Sequence, residues 1–437
     1  MRLSLKRSGK VSTLAAGVTL LLTAGCGGGG ESAAPSAAAT PSGPAPGATT
    51  IVEPTDGPVK RAQADLVIWA DDTRSPIIQK IAQRFATEKG VQVAVQQLEF
   101  GDIRDNLVTA GQAGEGPDVV IGAHDWLGKL VTNGAVAPIQ LGDKTSQFKE
   151  VALKALSYDG QLYGLPYAIE NIALFRNTAL APEAPKDWNA LMDNALKLVK
   201  EKKATVPLGL QVGPEGDPYH FYPVHTSFGG GIFATKPDGS YDPAQLTIDD
   251  AGGLAFAKAL ESWSKKKLLS ADLTLDIAKE AFNTGKSPYM ITGPWSTEDA
   301  QKAGIDLAID PIPSAGGKPA APFVGVQGFM ISANAKNKLV ANDFVVNYLG
   351  TPEVMKELYD TGKRPPAMIS VYDQVKSDPI IAGFGAAGDI GQPLPSIPAM
   401  DAVWTEYGHA ERDILLGKGD PEKLMKQAAE KIRAKIG

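Results

Sequence analysis

The sequence predicts an α/β protein built as two lobes, and three observations carry that prediction. Apolar runs of strand length alternate with amphipathic helical stretches over residues 65–122. The alternation resumes over roughly residues 195–295. About 370 residues follow the N-terminal low-complexity segment, enough for two substantial cores.

The elements follow in order. DLVIWA (65–70) is a continuous apolar run, as expected of a strand covered on both faces. Ser75-Pro76 supplies an N-cap and first-turn proline for a helix bearing Ile77, Ile78, Ile81 and Phe85 on one side, and Gly90 ends it. VQVAV (91–95) reads as the next strand, the stretch around Ile103, Leu107 and Val108 as a helix closed by Gly111, and PDVVIG (117–122) as a third strand. Strand and helix in alternation imply a parallel-type sheet. Later, ALKLVKEKK reads as helix, TVPLGLQV as strand, AGGLAFAKALESWSKKK as a long helix and SPYMITGPW as a strand entering a turn. From PEVMKELYDTG to EKLMKQAAEKIRAKI the chain is mostly helical.

The N-terminus has its own logic. Arg2, Lys6, Arg7 and Lys10 precede an apolar core from Val11 to Leu22, the pattern of an export signal spanning 1–25. That core is about 12 residues, short of the roughly 20 a membrane-spanning helix needs. Cys26, the chain's single cysteine, follows Leu22-Thr23-Ala24-Gly25, which resembles the lipobox of bacterial lipoproteins. The resemblance implies cleavage before Cys26, acylation of its thiol, and anchoring at the extracytoplasmic face of the membrane. Residues 26–63 are rich in Gly, Ala, Ser and Pro and read as a disordered linker with an end-to-end distance of roughly 35 Å. One cysteine allows no internal disulfide framework.

The chain carries 43 basic and 49 acidic residues, and removing the signal leaves a net charge of about −10. Nucleic acid and anionic lipid surfaces are poor partners for such a charge. No metal or cofactor is expected. HExxH is missing, and His220 and His225 stand too far from other ligands to suggest zinc. Gly285-Lys286-Ser287 has the end of a phosphate loop, but Glu280 occupies the place of its first glycine.

In open α/β sheets ligands bind beyond the carboxyl ends of strands. Three such loops are unusual: GAHDWLG (122–128), GLPYAIENIALFRN (164–177) and TGPWSTED (292–299). With GEGPDVV before them, PFVGVQGF (322–329) after them and IPAMDAVW (397–404), they resemble in order and spacing the maltose-binding proteins of bacterial ABC importers. The resemblance runs from about Asp65 to the C-terminus. It implies a two-lobed periplasmic-binding-protein-like fold, each lobe a parallel-type sheet with helices on both faces, the lobes joined by a hinge. It also implies discontinuous lobes, 64–169 with 326–376 and 170–325 with 377–437, and chain crossings near Ile169 to Ile172, Pro322 to Gly328 and residues 374–381. The implied function is capture of maltose or maltodextrins by a monomer and their delivery to ABC permease subunits.

Site residues follow from the matched motifs. Asp125 and Glu170 correspond to carboxylates that accept hydrogen bonds from sugar hydroxyls, and Tyr219 to an aromatic beside the sugar. Asp217 stands where the family has glutamate. Trp295 and Trp404 correspond to the tryptophans on which sugar rings stack, and Arg74 to a basic donor. Gly122 stands where several members carry tryptophan, Trp126 where they carry arginine, and Gly408 where another arginine is expected. The subsites are therefore rebuilt, with Trp126 a replacement aromatic and other sugars such as trehalose or sucrose open.

Each residue has a plainer reading. Asp125 has the position of a helix cap, Glu170 that of a solvated charge, and Trp295 and Trp404 those of core residues. Trp69, Trp188 and Trp263 are read as core and left out of the site. The main rival function is a cell-surface glycoside hydrolase, whose paired carboxylates stand roughly 5 to 9 Å apart.

Overall fold

The computed structural model describes residues 49–52, 58–236 and 240–437. The export signal and Cys26 lie outside the described residues.

The first lobe opens with strand β1 (Thr49–Val52), then β2 (Leu66–Ala70), helix α1 (Ser75–Lys89), β3 (Val93–Gln97), α2 (Phe100–Gln112) and β4 (Val119–Ala123). These strands lie in the order β1-β3-β2-β4, all parallel. Every residue of LVIWA is buried, because helices cover both faces of the sheet. Helix α1 carries proline in its first turn and ends at Gly90, whose φ of 66° suits a left-handed cap. Ser75 is already helical and Arg74 takes the cap position; the Asp71 carboxylate bonds the Arg74 amide at 2.9 Å instead. Gly111 falls inside α2 rather than closing it.

Two long strands extend the sheet, and the short strands Val136–Ala137 and Gln392–Pro393 pair with the second of them. β5 (Gly164–Asn171) leads after one residue into β6 (Ala173–Asn177). Much later, beyond β7 (Tyr289–Thr292) and β8 (Leu307–Asp310), comes β9 (Phe323–Ser332), which runs antiparallel to both β4 and β5. The second lobe has a smaller sheet in which β6 is flanked by β7 and β8, both antiparallel to it. Here the strand directions depart from the parallel arrangement. Only Ile172 separates β6 from β5, so β6 inherits its direction from the crossing chain and not from a helical crossover. TVPLGLQV contributes only a parallel bridge between Gly209 and Met290.

The apolar side chains sort into two principal cores. One takes residues from Leu66 to Ala168 and from Val326 to Val371. The other takes residues from Ile172 to Phe323 and from Leu394 to Ile432. The chain therefore passes between them at 168–172, at 323–326 and once more after residue 371. Trp69, Trp188 and Trp263 are buried, and the last two pack together with ring centroids 4.9 Å apart.

The expected linker is structured at its C-terminal end. β1 adds to the open edge of β3, with Ile51 opposite Val95. Arg61 is buried and donates to Asp118 at 2.6 Å and to the Gly116 carbonyl at 2.9 Å. Gln96 brackets the next residues, donating to the Lys60 carbonyl at 2.7 Å and accepting from the Ala62 amide at 3.2 Å. The composition of 26–63 conceals Thr49-Thr50-Ile51-Val52, a β-branched run that favours a pleated edge.

Candidate functional site in the interlobe cleft

The cleft is built from strand ends. Arg74 follows β2, is buried, and packs over the face of Phe100 at 5.1 Å. It donates to the Tyr167 hydroxyl at 2.6 Å, pairs with Asp71, and stands 3.6 Å from Glu170. Burial alone would lower its basicity, but Asp71, Tyr167 and Glu170 outweigh that and hold it charged. Burial likewise acts to raise Asp71, yet Arg74 and Arg364 bring its carboxyl below the usual range.

Glu170 lies on β5 and is 1% exposed, so it is not a solvated charge. Its Oε2 accepts from Arg364 Nη1 at 2.6 Å, while Oε1 has no hydrogen-bond partner. Sequence reasoning did not find Arg364. It also donates to Thr73 at 2.9 Å and holds its guanidinium 5.9 Å from the ring of Trp295. Its backbone is placed by Lys363, in the left-handed region at φ 52°, and by Pro365 and Pro366, which the chain ties to β5 through the Ile169 amide and Ala168. The readable signal was an arginine ahead of two prolines, which keep the backbone extended.

Asp125 and Trp126 sit on the turn His124–Trp126 after β4. Asp125 is half-buried, makes no cap bond to the helix that follows (α3 in the first lobe, Leu127–Thr132), and has its carboxyl pushed up to about 6 by burial against the opposing pull of Arg104. The Trp126 indole is buried, lies on Gly122 and packs against Phe100 at 4.8 Å. A Cβ at 122 would come within 2.2 Å of its ring, so the glycine and the displaced tryptophan require one another. His124 accepts from the Val326 amide at 3.1 Å and bonds the Leu394 carbonyl at 3.0 Å, linking the turn to the second lobe. Burial drops its imidazole to about 4, so it is neutral.

The second lobe supplies the aromatic wall. Asp217 caps the helix Pro218–Ser227, accepting from the His220 amide at 3.0 Å and from His220 Nδ1 at 2.9 Å, and it also accepts from Gln211. Its oxygens are thus engaged within the lobe. Tyr219, half-buried, has its ring 6.4 Å from Trp295 and 6.3 Å from Phe323. Its phenol is raised first by burial, then by the charges of Glu170, Asp125 and Asp217, which approach it from both lobes. Trp295 follows β7 through Gly293 and is half-buried. Trp404 opens the helix Val403–Leu415, is half-buried, and with Glu215, Gly216, Asp217 and Tyr219 lines a pocket of ≈ 230 Å³.

All eight sequence-derived residues therefore adjoin one region. Contacts run from Trp126 through Phe100 to Arg74, Glu170, Arg364, Trp295 and Tyr219, and Tyr219 shares its pocket with Asp217 and Trp404. Trp126 is the one aromatic of the set that is fully buried, 5% exposed, and its ring packs within its own lobe.

Comparison with known proteins adds four findings. A family model described as bacterial extracellular solute-binding protein matches residues 80–383. The galactooligosaccharide-binding protein of Bacillus subtilis is 30% identical over 388 residues, covering 85% of this chain and 90% of the relative. The maltotriose-binding protein of Pyrococcus abyssi is 29% identical, covering 84% and 81%. Among solved structures, Thermus thermophilus maltotriose binding protein bound with maltotriose superposes with a TM-score of 0.80 at 27% identity, covering 85% of this chain and 100% of that one.

Proposed function

The chain belongs to the bacterial extracellular solute-binding protein family, and we propose that it captures maltose and maltodextrins in its interlobe cleft and delivers them to the permease of an ABC importer. One observation carries this reading: Tyr219, Trp295 and Trp404 converge with Glu170, Arg74 and Arg364 where the two cores meet. A pyranose has apolar C–H faces and a hydroxyl rim, so it matches flat rings on its faces and charged acceptors and donors at its edge. Glu170 Oε1, buried without a hydrogen-bond partner and 3.6 Å from Arg74 Nη2, is suited to accept a hydroxyl. A tryptophan that removes about 100 Å² of apolar surface from water contributes roughly 2.5 kcal/mol. Micromolar affinity needs about 8 kcal/mol, so several aromatic platforms are required.

The same contacts disfavour hydrolysis. Glu170 is paired with two arginines and Asp217 is engaged by its helix cap, so neither is a free second carboxylate to work with Asp125 as a glycosidase pair. Binding therefore works by closure: the sugar touches both lobes only in the closed form and shifts the population toward it. Chain crossings at the hinge near 169–172, 322–328 and 374–381 would carry that motion.

The anchoring belongs to the same proposal. Cys26, acylated after signal cleavage, fastens a monomeric receptor to the outer face of the membrane, and two Streptococcus pneumoniae relatives are named as solute-binding lipoproteins.

A calorimetric panel of maltose, maltotriose, trehalose, sucrose, cellobiose and galactooligosaccharide tests the specificity. Maltotriose is expected to bind, and Trp295→Ala to weaken it by about 30- to 100-fold. Preference for the galactooligosaccharide would replace the α-glucan assignment. Hydrolysis, or silence toward every sugar, would overturn the reading.

A further inference from the structure

We propose that Asp401 is a positioning residue that latches the start of the helix bearing Trp404 onto the lobe bearing Asp125. Asp401 lies on the short helix Pro398–Ala402, directly ahead of Trp404. Its Oδ1 pairs with Arg104 Nη2 at 2.6 Å and its Oδ2 accepts from Lys129 Nζ at 3.0 Å. Asp105 closes the circuit, accepting from Arg104 Nε and from Lys129 Nζ, both at 2.9 Å. Four charges thus alternate in sign around a ring.

The ring crosses between lobes. Arg104 and Asp105 ride on α2, and Lys129 on α3; the buried residues of those helices, Ile103, Leu107, Leu127 and Leu130, belong to the first core. Met400 and Val403, which flank Asp401, belong to the second. Asp401 is therefore the one member contributed by the second lobe, and neutralising it removes both cross-lobe ion pairs while leaving the Arg104–Asp105–Lys129 triad intact. Arg104 also exerts its charge on Asp125, so the ring joins a candidate sugar-binding carboxylate to the platform opposite.

Backbone packing confines the same stretch. A Cβ at Gly128 would lie 2.6 Å from the Ser396 carbonyl oxygen, so the segment ahead of Asp401 is laid closely along α3. The ring fastens its end. With side-chain exposures of 17% for Arg104, 26% for Lys129 and 38% for Asp401, water and salt compete for these bonds. Two such pairs together favour the latched form by about 3- to 10-fold.

The ligand readout rests on the sugar-binding reading; the scattering readout does not. Wild type and Asp401→Asn are compared by small-angle scattering without ligand, and by calorimetry with maltotriose, at about 20 mM and about 1 M NaCl, where the screening length falls to about 3 Å. Thermal melts check that both fold. The variant is expected to show the larger radius of gyration and about 3- to 10-fold weaker binding at low salt, with both differences vanishing at high salt. Equal radii and affinities at low salt, or a deficit that persists at 1 M, overturn the latch. If wild type binds no maltotriose, the sugar reading fails and the scattering comparison alone decides the latch.

Discussion

Glu411 sits in the helix Val403–Leu415 that carries Trp404, 0% exposed, beneath the turn that carries Asp217. Burial raises its carboxyl well above the ordinary range, the Asp217 charge pushes the same way, and Tyr407 and the Asp217 backbone offset only part of this. The native protein thus holds a proton that the unfolded chain, with an ordinary glutamate near 4.3, has released. Stability conferred with that proton is fully present below the unfolded value and is lost as pH rises toward the folded one. Each pH unit in that window lowers the folding equilibrium constant tenfold. The loss accumulates over any pH range in which the native carboxyl keeps its proton and the unfolded chain has released it. Glu411→Gln keeps the shape and removes the titration. His225, pushed down to about 3 by burial, acts with the opposite sign on the acid side, but it is present in both proteins and cancels. Urea unfolding at pH 5, 6 and 7 should show the glutamine variant gaining on wild type as pH rises, by at most about a factor of ten per unit. Parallel pH profiles would refute the reasoning.

Two further outcomes follow from the packing. Arg61→Ala should destabilise the protein by about 3 kcal/mol or more in a chemical melt, because it leaves Asp118 buried without its cation; a residue of a free linker would leave stability unchanged. Gly216→Ala should lower the melting temperature sharply, since φ is +77° and the new Cβ would lie 1.9 Å from the Gly408 carbonyl oxygen. If that variant melts with wild type, the tight seating of the Asp217 turn on the Trp404 helix is wrong.

The fold was legible wherever the local pattern decides the structure. Residues 65–70 and the helix with Ile77, Ile81 and Phe85 are apolar in ways that only a covered sheet and its flanking helix explain. Strand direction in the second lobe was not legible, because it depends on the single residue between β5 and β6 and not on composition. Arg61 and β1 were hidden by their Pro- and Gly-rich surroundings. In the cleft, aromatic and acidic residues announced themselves through motif and loop position, and most are half-buried facing one another. Arg364 did not, because its role comes from Glu170, nearly two hundred residues away in the chain. Asp217 illustrates the converse: its motif pointed to ligand, while its geometry shows a carboxylate occupied by a helix cap and His220.

The pairing of β1 with β3 has a consequence for crowding. A parallel sheet left open at β3 would present a row of bare amides and carbonyls to its neighbours. Many copies held on one surface would meet such borders repeatedly, and strand could zip to strand between molecules. Thr49–Val52 covers β3 with the chain's own backbone and itself becomes the outer strand, only four residues long, so a version begun at residue 58 exposes the longer, buried β3 in its place and should self-associate more readily than the full chain.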